Sequence, residues 1–209
     1  MHKPAILILA LACVSCAAPE RTRNLNDARV AAPVMAAQVC SNCHGIDGNS
    51  TSPNFPRLSG QTEPYLVEQL KAFRAHGRLD PAGFEYMWGL SRHLTDAQVE
   101  GLAAHFSRQA PTPNPARADP SLVASGKAIF ENGKPDKNLP ACKVCHGDRA
   151  QGNAAFPRLA GQHADYLEKQ LLVFQRTDQR PEGAVMKTIA HLLDESDIRA
   201  VSAYLEAMS

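Results

Sequence analysis

Cys40-Ser41-Asn42-Cys43-His44-Gly45 and Cys142-Lys143-Val144-Cys145-His146-Gly147 repeat one motif at a distance of 102 positions. The repetition extends well beyond them. Phe55-Pro56-Arg57-Leu58-Ser59-Gly60-Gln61 returns as Phe156-Pro157-Arg158-Leu159-Ala160-Gly161-Gln162 at an offset of 101, and Tyr65, Gln69 and Phe73 return as Tyr166, Gln170 and Phe174. Met87 and Leu94 match Met186 and Leu193 at an offset of 99. Small drifts in offset are what loop insertions leave behind, so the chain is a tandem duplication of one unit. Its 209 residues allow about 100 per copy, an ordinary domain size.

Between the copies, Gln109 to Pro120 carries Pro111, Pro113, Pro115 and Pro120, a spacing that forbids helix and favours an extended connector. The expected domains are residues 18–113 and 114–209. Residues 1–17 read as an export signal: Lys3 near the start, an apolar run from Ala5 to Val14, then small residues Ser15 to Ala18. The apolar run is too short to span a bilayer. Ser15-Cys16-Ala17 suits cleavage before Ala18, while acylation of Cys13 or Cys16 is the competing reading and would anchor the chain to a membrane. The expected location is the periplasm, with membrane association as an option.

Each copy reads as helical. Val99, Leu102 and Phe106 follow helical spacing and are echoed by Ile198, Val201 and Leu205. Thr95 followed by Gln98 predicts a capping box where this closing helix begins. Leu66, Leu70 and Phe73 mark a middle helix, repeated by Leu167, Leu171 and Phe174, and another helix precedes each cysteine pair, clearest from Ser121 to Glu131. No stretch sustains two-residue alternation, so the expected class is all-α. Apolar residues make up 44% and charged ones 21%, as in soluble globular proteins. Lys3 is the one charge in residues 1–17, and the remainder balances at 21 basic to 21 acidic residues, so nothing in the charge points to a nucleic-acid partner.

Export makes the four remaining cysteines informative, because free thiols do not persist in an oxidising compartment. C-x-x-C-H is the attachment signature of c-type haem. Thiols three residues apart share one face of a helical turn, where both can form thioethers with one haem edge while the adjacent histidine supplies an axial nitrogen. Cys40, Cys43, Cys142 and Cys145 are therefore the expected attachment points of two covalently bound haem c groups, with His44 and His146 as axial ligands. A four-cysteine zinc site gives no reason for histidine to follow both pairs. A thioredoxin-like pair needs a strand–helix setting that is absent here.

Met87 and Met186 are the expected second axial ligands, since both copies place a methionine at one register ahead of the closing helix. Met35 and Met208 have no counterpart in the repeat. His/Met ligation raises the reduction potential relative to bis-histidine and fills both axial positions, which favours electron transfer over catalysis. The carbonyls of Pro56 and Pro157 are candidate acceptors for the haem histidines' other ring nitrogen. Arg57 and Arg158 are candidate propionate partners or solvated charges. His76, His93, His105, His163 and His191 read as structural or exposed.

With these motifs in place, the chain resembles the dihaem cytochromes c of the cytochrome c4 family over nearly all of residues 18–209. The resemblance rests on Cys142-x-x-Cys145-His146-Gly147, Gly152-Asn153, the Phe156–Gln162 run and Met186 ahead of Leu193-Asp194-Glu195-Ser196-Asp197-Ile198, with the same pattern in the first copy. It implies two class I cytochrome c folds related by a pseudo-twofold axis, with propionate edges near the domain interface. It also implies an electron carrier whose donor is a quinol-oxidising complex and whose acceptor is a terminal oxidase or another respiratory partner. A dihaem peroxidase or a thiosulfate-oxidising cytochrome is the alternative. Three departures stand out: Ala31-Ala32-Pro33 where the second copy has Gly126 and Phe130, His105 in place of Tyr204, and Arg78 to Tyr86, which differs from its counterpart.

Overall fold

A computed structural model describes residues 24–114 and 119–208; the proposed signal, with Cys13 and Cys16, lies outside the described residues. Among the described residues, ten α-helices are interspersed with short π and 3-10 turns. The first domain holds α1 (Ala32–Met35), a π turn (Ala36–Cys40), α2 (Ser41–His44), α3 (Glu63–Arg74), a second π turn (Gly83–Met87), α4 (Trp88–Ser91) and α5 (Asp96–Ser107). The second holds α6 (Pro120–Asn132), α7 (Lys143–His146), α8 (Ala164–Arg176), α9 (Ala184–Ala190) and α10 (Glu195–Ala207). Among the described residues, extended pairing is confined to two isolated bridges, Lys134 with Leu139 and Asn153 with Phe156.

Each closing helix starts where its cap dictates. Thr95 Oγ1 accepts from the Gln98 N–H at 3.2 Å and the Thr95 N–H donates to Gln98 Oε1 at 3.0 Å, satisfying two otherwise orphaned donors reciprocally. Asp194 and Asp197 make the equivalent pair in the second domain. There the cap also anchors an insertion. Lys134 Nζ donates to both Asp197 carboxylate oxygens and Lys137 Nζ to Asp194 and Asp197, so the loop after α6 is tied to α10.

Two separate cores form. Val30, Met35, Leu66, Leu94, Val99, Leu102 and Phe106 pack together in the first domain. Phe130, Leu139, Leu167, Leu193, Ile198, Val201 and Leu205 do so in the second. Met35, which has no counterpart in the repeat, is core filling. The departure at Ala32 also has a physical explanation. In the second domain Gly126 of α6 lies so close to α10 that an added Cβ would collide with the Ala200 carbonyl and stand 2.8 Å from Tyr204 Cβ. In the first domain the glycine has moved to the other helix: Gly101 of α5 faces Ala32 of α1, where an added Cβ would lie 2.7 Å from the alanine methyl. Both domains keep a close helix crossing with one glycine, contributed from opposite sides.

The two crossings should respond unequally to a methyl group. Gly126→Ala gains up to about 1 kcal/mol of helix propensity, but its Cβ meets backbone, which cannot rotate away. A net loss of about 2 kcal/mol is expected. Gly101→Ala meets a side-chain methyl and should cost less. Thermal unfolding of both variants checks the order, and a stabilised Gly126→Ala protein would contradict the close crossing.

Residue 105 completes the departures. Tyr204 packs against Phe130 at 5.6 Å between ring centroids, whereas His105 sits edge-on to Phe106 at 5.0 Å. Its Nε2 is buried without a hydrogen-bond partner among the described residues.

Candidate haem-binding sites

Cys40 closes the first π turn, Cys43 and His44 lie in α2, and Cys145 and His146 lie in α7 directly after Cys142. Each motif thus occupies one helical turn, as its spacing predicts. The turn ends at a glycine, Gly45 with φ +81° and Gly147 with φ +84°, a backbone region open to glycine at no steric cost. Among the described residues no disulfide joins Cys40, Cys43, Cys142 or Cys145, so all four sulfurs are available for thioether attachment. Burial pushes Cys40 and Cys142 up to about 11, the opposite of the lowered pKa that activates a redox or nucleophilic thiol.

The histidines are held with care. His44 is 8% exposed and its Nδ1 lies 2.8 Å from the Pro56 carbonyl; His146 is 6% exposed with Nδ1 2.9 Å from the Pro157 carbonyl. A carbonyl only accepts, so each Nδ1 carries the proton and each Nε2 keeps its lone pair for a metal. Burial pushes both imidazoles below their ordinary pKa, partly countered by the carbonyl, and a neutral ring is the form that ligates. Phe55 and Phe156 close over the rings edge-on, both at 6.3 Å.

Backbone bonds aim the carbonyls. The Leu58 and Ser59 N–H groups donate to the Gly48 carbonyl at 2.8 and 3.2 Å, and Leu159 and Ala160 do the same to Ala150 at 2.8 and 3.1 Å. Gly60 and Gly161 then donate to Phe106 and Leu205 at the ends of the closing helices. The Phe-Pro-Arg-Leu segment is therefore pinned at its C-terminal end in both domains.

The methionines sit on the segments joining middle and closing helices. Met186 lies half-buried in α9, which packs against α8. Met87 is also half-buried, but it ends the π turn Gly83–Met87. Met87 lies nine positions after Arg78 where Met186 lies six after Arg180, and the extra length forms that turn, leaving Phe84 and Tyr86 exposed. His76 stacks against Trp88 and Phe84 at 4.7 and 5.1 Å beside it. His93 and His191 are exposed.

Several residues with a place at the site did not stand out in the sequence. Arg78 and Arg180 are equivalent despite the dissimilar stretch that follows, and both are buried between the domains. Arg78 donates to Gln69 Oε1 at 2.6 Å and across to Gln170 Oε1 at 3.1 Å; Arg180 donates to Gln170 Oε1 at 2.6 Å and across to Gln69 Oε1 at 2.9 Å. Arg57 is buried, not solvated, and its guanidinium donates to Gly161 O, Asn49 Oδ1 and Thr112 O, the first in the other domain. His163 reaches across as well, with Nε2 2.9 Å from the Ser50 carbonyl. The one available signal was the recurrence of buried polar residues at equal offsets.

This donor set fits a covalently held haem in each domain. Paired thiols and an imidazole with a free Nε2 stand in each half, a thioether is available from each methionine segment, and buried guanidinium groups at the interface suit a ligand that brings carboxylates.

Comparison with known proteins agrees. The cytochrome c family model matches twice, over residues 31–108 and 123–209. Cytochrome c4 of Azotobacter vinelandii is 40% identical over 181 residues, covering 82% of this chain and 85% of the relative. The thiosulfate dehydrogenase electron acceptor of Thiomonas intermedia is 34% identical over 181 residues, covering 85% of this chain and 81% of the relative. The crystal structure of reduced recombinant cytochrome c4 from Pseudomonas stutzeri superposes with a TM-score of 0.76 at 38% identity, covering 88% of this chain and all of that one. The chain is an all-α pair of class I cytochrome c domains carrying two covalently bound haem c groups, and it belongs to the cytochrome c4 family of dihaem electron-transfer cytochromes.

Proposed function

We propose that Cys40 and Cys43 hold the first haem with His44 and Met87 as axial ligands, and that Cys142 and Cys145 hold the second with His146 and Met186. The domains divide at residues 113 and 114. The protein serves in the periplasm, passing electrons from a quinol-oxidising complex to a terminal oxidase or another respiratory acceptor, and acylation at Cys13 or Cys16 would keep it near the membrane. The observation that carries this reading is the duplicated histidine geometry, with both Nδ1 protons committed to proline carbonyls and both Nε2 atoms left to bind.

The haem iron, when bound, exchanges one electron without making or breaking bonds. The protein's own residues keep that exchange simple. Pro56 and Pro157 fix the imidazoles so that they need not reorient, and Phe55 and Phe156 shield them from water. Balanced charge leaves partner docking to short-range complementarity rather than long-range steering. No helix among the described residues is long and apolar enough to cross a membrane.

The relative named as a thiosulfate dehydrogenase electron acceptor favours one further donor, an enzyme that oxidises thiosulfate. In that arrangement this chain still receives electrons and performs no thiosulfate chemistry.

Carbon monoxide tests the ligation. With both axial positions filled, the reduced protein should show no rapid carbonyl formation at either haem. Rapid binding at one haem would mean an open iron and would move that site toward catalysis.

A further inference from the structure

One peptide group in each domain has both of its polar ends engaged, and they point to different domains. The Pro56 carbonyl accepts from His44 Nδ1 at 2.8 Å. The N–H of the same peptide unit, on Arg57, donates to Gln162 Oε1 of the second domain at 2.8 Å. Gln162 closes the contact by donating from Nε2 to the Arg57 carbonyl at 2.9 Å. The mirror arrangement is complete: His146 Nδ1 to Pro157 O at 2.9 Å, Arg158 N–H to Gln61 Oε1 at 2.6 Å, and Gln61 Nε2 to Arg158 O at 3.0 Å. Both glutamines are buried. Each is locked by a second bond, Gln61 Oε1 accepting from Thr62 N–H and Gln162 Oε1 from His163 N–H.

An amide is conjugated, so an acceptor on its N–H pushes electron density onto its oxygen and makes that carbonyl a better acceptor. A stronger bond to Nδ1–H makes the imidazole a better electron donor at Nε2. That stabilises the oxidised metal and lowers its potential. The path from each glutamine to the opposite histidine runs through this one peptide unit.

We propose that Gln61 and Gln162 are crossed positioning residues: each tunes the proximal histidine of the other domain's haem and so makes that haem's potential depend on the neighbouring domain being docked. The inference rests on His44 and His146 being the axial ligands. Docking and redox tuning are then one event, because any opening of the interface releases both peptide groups together.

The test uses the intact dihaem protein and measures each haem separately by redox titration followed by NMR. Gln162→Met keeps length and burial and removes the strong acceptor. It should favour reduction of the first haem roughly threefold, about 28 mV at 59 mV per decade for one electron, and leave the second haem unchanged. Gln61→Met should do the mirror image. Gln162→Glu keeps an acceptor oxygen and should hold the first haem at or below its original potential, so two variants remain informative if Gln162→Met does not fold. The His44 Nδ1 proton resonance should move in Gln162→Met and stay in Gln61→Met.

A shift confined to the haem of the substituted domain, equal shifts in both, or none with both histidines still on iron would overturn the crossed relay. If the unsubstituted protein shows no iron-bound imidazole from His44 or His146, the ligand assignment fails instead, and the spectrum tells these outcomes apart.

Discussion

Met186→His is expected to lower the potential of the second haem by roughly 0.2 V, a fraction of the about 0.8 V that axial ligation commands. Thioether sulfur favours reduced iron, and a second imidazole removes that preference while keeping both positions filled. Met186 is half-buried in a seven-residue helix, where histidine costs little helix propensity. Attachment through Cys142 and Cys145 does not depend on it, so the denatured variant should keep two covalent haems. The first haem serves as the internal reference and should titrate unchanged. Redox titration with ligand spectroscopy settles the matter. An unmoved second potential would mean that another residue holds that position.

What the sequence made legible follows from how far apart the cooperating groups lie along the chain. Two thioethers and an imidazole on one haem edge require three side chains within one helical turn, so Cys40 to His44 and Cys142 to His146 form compact words. The capping box at Thr95 is equally local and forms as expected. The Pro56 and Pro157 carbonyls were within reach only as candidates, because backbone acceptors leave no residue-type signature. Gln61, Gln162, Gln69 and Gln170 were visible as repeats, yet nothing in a glutamine says that its partner is about a hundred residues away. The exchange of a glycine between the entry and closing helices, Gly126 in α6 and Gly101 in α5, is hidden in the sequence for a related reason: a close crossing constrains the sum of two facing residues, and either helix can supply the small one. Around Met87, three extra residues were absorbed by a π turn, a local insertion that disturbs sequence alignment while keeping the methionine ahead of the closing helix.

The largest stability effect should come from Arg78, which sits on the interface rather than at a haem motif. Its side chain is 3% exposed and its Nε donates to Asp80 Oδ1 at 2.7 Å, with Asp80 itself 2% exposed. The guanidinium also lies 4.6 Å from the Phe73 ring centroid and crosses to Gln170. Arg78→Leu therefore leaves a buried carboxylate without its cation, and removing one partner of such a pair costs about 3–5 kcal/mol. Arg180 makes the matching contacts, but its acid, Glu182, is 26% exposed. That carboxylate can rehydrate, so Arg180→Leu should cost markedly less. Substituting Asp80→Leu together with Arg78→Leu should recover much of the loss at neutral pH, since Arg180 still donates to both Gln69 and Gln170. Chemical denaturation of the three variants at neutral pH measures these losses. Equal losses for Arg78→Leu and Arg180→Leu, or a double variant no better than the single one, would show that the cost lies in lost packing and not in a stranded charge.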